Sequence, residues 1–246
     1  MPDIVAGSDR QLRVRNENSW SAARDATTAD SAVTSANAVR NKKSGSGKYD
    51  NHRSFLAFDT SGVTIAPSSA TLSLRTTSFV SSDFVIVKVQ AGATGDSGTE
   101  FANSDYNLLQ GFSSGNTMNG NVVTYSSEVE NPTANTTILV TLNADALSDI
   151  ASLDEFKVAI IGSRDFTNNE PGVGNQTTTF KTSTESTVSF RPTLSYVEGT
   201  AGDTPQQKRN KRRRRRTKGV RGRGFAIKDV SVTTGGRVIA NGFSED

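Results

Sequence analysis

The chain has 246 residues, no cysteine, one histidine and a formal net charge of +3. The cysteine count excludes disulfides and thiolate chemistry, and the absence of an apolar run of about 18 residues argues against a membrane-spanning helix. The first 15 residues also lack the apolar core of a secretory signal. A hydrophobic fraction of 33%, with 21 glycines and abundant Ser, Thr and Asn, favours an all-β class.

The charge is divided unevenly along the chain. Residues 200–246 hold 13 basic and 4 acidic side chains, a net charge of +9. Residues 1–199 hold 15 basic and 21 acidic side chains, a net charge of −6. The basic character therefore belongs to the C-terminal part alone.

The first 50 residues give weak signals. Residues 12–15 alternate Leu and Val with Arg, which predicts a short edge strand. Residues 21–39 are rich in Ala, Ser, Thr and Asp without a sustained apolar stripe, so we expect irregular chain with short strands. Residues 41–50, NKKSGSGKYD, are typical of a polar loop.

Two stronger runs follow, at residues 54–58 and 70–74. The first run is apolar on both faces, which indicates a central strand covered on both sides. In the second, Ala70, Leu72 and Leu74 alternate with polar residues, which indicates a half-buried antiparallel strand. A Gly/Pro/Ser connection separates the two runs, and we predict a hairpin here.

Further strands are predicted at residues 84–89, 122–125, 137–142, 156–161, 177–181 and 188–197. A long surface loop is predicted at residues 92–107 and a short helix after Leu142, with Asn143 as N-cap and Asp145 in its first turn. About nine short strands with turn signals describe a β-sandwich or jelly roll.

Three domains are predicted. Residues 1–199 form a jelly-roll β-sandwich, and residues 200–224 form a linker and an Arg-rich basic segment. Residues 225–246 carry two short apolar pieces around TTGG, which predicts a C-terminal β-hairpin that anchors the chain. A two-stranded hairpin is marginal in water, so this piece needs a surface to pack against.

Four motifs carry a resemblance to a known family. DNHRSFLAFDTSGV at residues 50–63, SATLSL at 69–74, RPTLSYVEG at 191–199 and WSAARD at 20–25 resemble the DNRLRE-type carbohydrate-binding module. The resemblance covers residues 13–199 and implies a β-jelly roll found in secreted polysaccharide-active proteins and in phage virion and tail proteins. Such a module without an export signal fits a virion released by lysis, and export by another route would also explain it. The motifs identify a fold better than a ligand.

Sugar recognition would need an aromatic platform, because aromatic faces stack on the C–H faces of sugar rings. The carbohydrate-binding candidates are Trp20, Tyr49, Tyr106 and Tyr125, and for Trp20 core packing is the stronger interpretation. The family's arginine corresponds to Arg53, to which we assign a structural role, tied to a carboxylate such as Asp59 or to carbonyls.

No catalytic residues and no cofactor are predicted. His52 is the single histidine, it lies inside the core motif, and no carboxylate pair stands out by its spacing. Asp-rich stretches at residues 96–105 and 165–170 offer oxygen ligands to a structural calcium ion, although plain solvated loops explain them more simply. We therefore expect a protein that is not an enzyme.

The arginine run is the strongest local signal. Its side chains repel each other and bind polyanions by counterion release. The predicted polyanion or assembly contacts are Lys208, Arg209, Lys211, Arg212, Arg213, Arg214, Arg215, Arg216, Lys218, Arg221 and Arg223. Packaged nucleic acid, an anionic polysaccharide and an acidic surface of another virion protein are the competing partners.

The sequence leads to one main functional hypothesis with two alternatives. The main one is a non-enzymatic phage virion protein, a capsid or tail decoration or fibre component, held to other virion proteins by its basic tail. In that setting a cell-surface glycan is a candidate ligand for host attachment, and we expect a homo-oligomer. The alternatives are a polysaccharide-binding adhesin outside any particle and a nucleic-acid-binding protein acting through the arginine run.

Overall fold

The computed structural model of the protein describes residues 1–200, which are mostly β-strands. The eleven strands of this part are β1 (Asp3–Val5), β2 (Ser8–Glu17), β3 (Ser31–Val33), β4 (Asn37–Lys43), β5 (Tyr49–Asp59), β6 (Ser69–Val80), β7 (Phe84–Lys88), β8 (Thr137–Thr141), β9 (Glu155–Gly162), β10 (Gly174–Phe180) and β11 (Thr193–Val197). The helices are α1 (Trp20–Arg24), α2 (Ala144–Ser152) and α3 (Ser163–Thr167). The predicted Arg-rich segment and C-terminal hairpin lie outside the described residues.

The strands pair antiparallel, and β6 belongs to two layers. Its first half pairs with β8 and β11, and β1 continues from β11, which makes the smaller layer. Its second half pairs with β10, from which the larger layer runs through β4, β5 and β2 to β3. The strand pairing therefore links both layers into one continuous sheet.

The larger layer divides at β5. Strand β4 pairs with β5 at residues 50–52, whereas β9 pairs with β5 at residues 54–59 on the same side and carries β7 with it. Strand β2 pairs with β5 on the opposite side along most of its length. We call the point where β4 and β9 separate the fork of the sheet.

Two hydrophobic cores lie on the two faces of β5. Leu56 and Phe58 pack with Leu72 and Leu74 of β6 in the sandwich core between the layers. Phe55 and its neighbour Ala57 face the other side, where residues 89–122 and α1 cover them in a second core. Both faces of β5 are thus buried, as its sequence indicates.

The all-β prediction is confirmed for the described part, with a sandwich-like arrangement, whereas the jelly-roll connectivity stays a prediction. The predicted hairpin between residues 54–58 and 70–74 is wrong, because β5 and β6 pair with different strands and belong to different layers over that stretch. The predicted polar loop at residues 41–50 is too long, because β4 continues to Lys43 and β5 begins at Tyr49, which leaves residues 44–48 as the loop. Residues 122–125 form only an isolated bridge at Thr124 rather than a strand.

Candidate functional site

Arg53, the arginine of the family motif, lies on β5 with its side chain fully buried. Its Nε donates to Asp165 Oδ2 at 2.6 Å and one terminal nitrogen donates to Asp165 Oδ1 at 2.9 Å. Two further N–H groups donate to the carbonyl oxygens of Tyr106 at 2.8 Å and Arg24 at 2.9 Å. All four of these hydrogen bonds are made to protein atoms in the interior. Arg53 is therefore a structural residue in the second core.

The pKa of Arg53 follows from the same contacts. Burial alone would lower the pKa of the guanidinium, but the charge of Asp165 and the hydrogen bonds to Asp165 outweigh burial. The pKa is therefore held above its ordinary value, and Arg53 stays a cation within the interior.

Asp59, which we named as a partner for Arg53, is not that partner. Asp59 is exposed at the end of β5 and accepts hydrogen bonds from the backbone and hydroxyl of Ser61 at 3.0 and 2.6 Å. The prediction placed the carboxylate in the same strand as Arg53. The buried carboxylate comes instead from α3, and no local sequence pattern links the two.

Arg24 of the WSAARD motif joins the same cluster. Its Nε donates to the carbonyl of Asp165 at 3.0 Å, and its terminal nitrogens donate to Asp25 Oδ1 at 2.5 Å and to the carbonyl of Asn116 at 2.6 Å. Two motifs that are separate in the chain therefore meet at Asp165. This arrangement ties α1, β5 and α3 to each other.

The four aromatic candidates are all buried, and they do not form one platform. Tyr106 is fully buried in the second core, where its hydroxyl donates to the carbonyl of Ala23 at 2.9 Å. Tyr125 is fully buried in the sandwich core, stacked on Phe156 with ring centroids 5.0 Å apart. Trp20 and Tyr49 are 6% and 7% exposed, with ring centroids 6.5 Å apart. None of the four presents an open ring face to a sugar.

The two acidic stretches considered for calcium are used internally. Asp105 accepts hydrogen bonds from the backbone of Thr94 at 3.0 Å and of Ala102 at 2.9 Å, which close its own loop. Asp165 is paired with Arg53. Within residues 1–200, no group of three His, Cys, Asp or Glu side chains converges as a metal ion would require.

A polar cleft of about 340 Å³ lies at the fork of the sheet, between β10 with β4 on one side and α3 with the turn that precedes β7 on the other. Its lining includes Asn41, Ser82, Asp83, Ser163, Arg164 and Gln176. Asn41 Oδ1 and Ser82 Oγ are buried and have no hydrogen-bond partner among the described residues. The lining of the cleft is polar and contains no aromatic side chain.

Gly162 shapes the wall of this cleft. A Cβ atom at Gly162 would lie 2.3 Å from Asn41 Oδ1, so only glycine lets β9 approach β4 so closely. The Asn41 amide is held by a 2.8 Å hydrogen bond from its Nδ2 to Asn51 Oδ1. Sequence reasoning missed this cleft because its residues come from four separate stretches of ordinary polar sequence.

No protein-family model matches the chain, and a search of curated proteins returned no match. The family resemblance therefore rests on the four motifs alone. No helix in the described residues is long and apolar enough to cross a membrane. All eleven predicted contacts between Lys208 and Arg223 lie outside the described part of the chain.

Proposed function

We propose that this chain is a non-enzymatic structural protein of a phage particle, located on the capsid or the tail. Its all-β body would be displayed on the particle, and its basic segment would hold it to neighbouring virion proteins. The observation that carries the proposal is the convergence of Arg24, Arg53 and Asp165 in the interior. The motif residues organise the body, which leaves the basic segment as the strongest candidate for partner contact.

The use of other buried ionisable groups supports a structural role. Burial raises the pKa of Asp9, whose carboxylate accepts hydrogen bonds from Asn37 and from the backbone of Ser183. His52 is bonded through Nδ1 to Gln11 rather than to a carboxylate. In each case the polar group makes a hydrogen bond between two chain segments, and such buried hydrogen bonds make the folded body rigid.

The charge of the basic segment supports the proposed anchoring. Its 11 basic side chains between Lys208 and Arg223 have no acidic residue among them, so they favour an acidic surface on a neighbouring protein. The predicted hairpin at residues 225–246 would complete the contact by packing on that surface.

Deletion of residues 200–246 tests the proposal. The truncated chain should keep its β-rich circular dichroism spectrum and its cooperative unfolding, while the amount found in purified particles should fall to background. Full incorporation of a folded truncated chain would count against the proposal.

A second candidate function is polysaccharide binding outside any particle, and the polar cleft at the fork favours it. We would place the ligand against Arg164 and Gln176, whose side chains line the cleft, instead of the buried aromatic rings. An uncharged sugar releases no counterions when it binds, so such binding would be tolerant of salt, unlike polyanion capture by the tail.

A glycan array with the full chain at high salt tests this second function. Hits should be lost with Gln176→Ala and retained with Asn175→Ala, a change at the exposed neighbouring position of β10. Hits that persist in the Gln176→Ala variant, or that vanish at high salt, would argue against a glycan in the cleft.

A further inference from the structure

A row of polar side chains crosses four strands of the larger layer. His52 on β5 lies opposite Arg13 of β2 and Arg40 of β4, and Arg40 lies opposite Thr177 of β10. Side chains that are directly opposite in antiparallel strands share a face, with Cβ atoms about 4.5–5.5 Å apart. The four side chains therefore form one continuous row on the face that carries Leu56 and Phe58 further along β5.

The hydrogen bonds of Gln11 define the tautomer of His52. Arg13 donates to Gln11 Oε1 from Nε at 2.8 Å and from a terminal nitrogen at 2.6 Å. Since a guanidinium can only donate, the Gln11 amide nitrogen must face the ring, and it lies 3.1 Å from His52 Nδ1. Nδ1 is then the acceptor, and Nε2 of the neutral ring carries the hydrogen.

The surroundings of His52 keep the ring neutral. Burial lowers the pKa of His52 to about 2, with help from the positive charges of Arg40, Arg13, Arg15 and Lys42. A neutral ring with Nδ1 already bonded can offer its row neighbours only a donor, the Nε2 hydrogen.

Three buried polar atoms of the row lack a hydrogen-bond partner among the described residues. They are His52 Nε2, Arg40 Nε and Thr177 Oγ1. The first two are donors only in this state, and the threonine hydroxyl can also donate. A buried donor without an acceptor loses its hydrogen bond to water and gains none, so three of them in one row indicate a missing acceptor.

The excess of positive charge around the row also favours an acceptor, and specifically an anionic one. Asp50 is the one carboxylate within ion-pair distance of these cations among the described residues, at 3.7 Å from both Arg40 and Lys42. Asp30 lies at the edge of the row, where it accepts from the backbone of Arg15 at 2.7 Å. Burial and the charges of Arg15 and Arg40 lower the pKa of Arg13, which reflects the crowding of cations.

We propose that this row binds an oxyanion group, a phosphate or a sulfate, through Arg13, Arg40 and the Nε2 hydrogen of His52. Such a group has several acceptor oxygens, no donor when fully ionised, and the negative charge that the excess of cations requires. The side chain of Arg40 is 27% exposed, so an ion would enter the row from the side of β4. The site belongs to the body and does not depend on the proposed function.

The single histidine of the chain gives a direct test. In nitrogen-15 NMR spectra of the full chain, only His52 contributes imidazole signals, so binding to the basic tail does not obscure them. Inorganic phosphate and sulfate should shift the His52 signals saturably, whereas sodium chloride at matched ionic strength should not. Glucose 6-phosphate and glucose 6-sulfate in parallel titrations distinguish a phosphate ester from a sulfate ester as the carrier.

Two variants complete the test. Arg40→Gln should weaken the binding of inorganic phosphate roughly tenfold, the loss of one charge-assisted contact. Arg75→Gln should leave it unchanged, because the Arg75 guanidinium stacks on Phe190 at 4.7 Å rather than lying in the row. If Arg40→Gln does not fold, Arg13→Gln replaces it. Equal shifts with chloride, unchanged affinity in a folded row variant, or a spectrum of the Nδ1-protonated tautomer would overturn the proposal.

Discussion

Arg53 and Asp165 are 112 residues apart in the chain and share two hydrogen bonds of 2.6 and 2.9 Å in the interior. Both side chains have no solvent exposure. The pair joins the central strand β5 to helix α3, and Arg24 extends it to α1. Two arginines of the motifs that carry the family resemblance, Arg24 and Arg53, therefore stabilise the second core.

Breaking this pair should destabilise the body strongly. Asp165→Asn leaves the Arg53 guanidinium buried without its counter-charge, and removing one partner of a buried pair costs about 3–5 kcal/mol. Urea unfolding followed by circular dichroism measures the change. Asp59→Asn is the matched control and should change stability by less than about 0.5 kcal/mol, because that carboxylate is exposed. A similar loss in both variants would contradict the assignment of Asp165.

The buried ring of His52 should make the protein sensitive to acid. Burial lowers the pKa of His52 in the native chain to about 2, whereas the ring of the unfolded chain titrates at about 6.5. Below about pH 6.5 the unfolded chain therefore takes up a proton that the native chain does not. This histidine contributes no pH dependence above that value, and below it stability falls by about 1.4 kcal/mol per pH unit. Near pH 4.5 the loss is roughly 2–3 kcal/mol.

His52→Gln should remove this contribution while keeping the carboxylate background. Denaturant unfolding at several pH values between 7 and 4.5 compares the two slopes. Parallel curves for the wild type and the variant would mean that His52 is protonated in the native state.

The fork of the sheet depends on a glycine. Gly162→Ala would place a Cβ atom 2.3 Å from the Asn41 amide, and such overpacking costs about 1–3 kcal/mol. Gly172→Ala is the control, since a Cβ there meets no atom within 4 Å. Thermal unfolding of both variants should show a lower midpoint for the first alone. An unchanged midpoint for Gly162→Ala would mean that β4 and β9 are further apart.

The tyrosines considered for sugar stacking should behave as structural residues. Tyr106→Phe removes the hydroxyl that donates to Ala23 and accepts from Asn51 Nδ2 at 2.8 Å, and the buried amide left behind costs about 1–3 kcal/mol. Tyr49→Phe loses only a bond to the exposed Glu170 and should be nearly neutral. Urea unfolding checks both, and a neutral Tyr106→Phe variant would contradict the internal role of that hydroxyl.

Local patterns predicted the elements whose physics is local. The alternation in residues 70–74 matches the buried and partly exposed sides of β6, and Asn143 caps α2 by accepting from the backbone of Ala146 at 3.1 Å. The continuous apolar run of β5 correctly indicated burial on both faces. Each of these features depends on neighbouring residues alone.

The features that sequence reasoning missed depend on distant partners. The end of β4, residues 41–43, was predicted as a loop because the sequence there is polar. Strand β4 is polar because Asn41 bonds Asn51 on one face while Arg40 lies in the row with His52 on the other. Phe101 and Tyr106 lie in a Gly-rich stretch that covers the second core. The polar sequence around them predicted a surface loop and gave no sign that their side chains are buried. Asp165 of α3 was interpreted as a solvated loop residue because its partner, Arg53 of β5, is 112 residues away in the chain.

The proposed function requires that the positive charge of the tail, rather than the folded body, would hold the protein in a phage particle. Replacing all five arginines at residues 212–216 by glutamine removes the charge, whereas replacing them by lysine keeps it. The measurement is the amount of each folded variant in purified particles. We expect the glutamine variant to fall roughly tenfold or more and the lysine variant to stay near the wild-type amount, as a charge-driven contact requires. Wild-type incorporation of the glutamine variant would contradict the account.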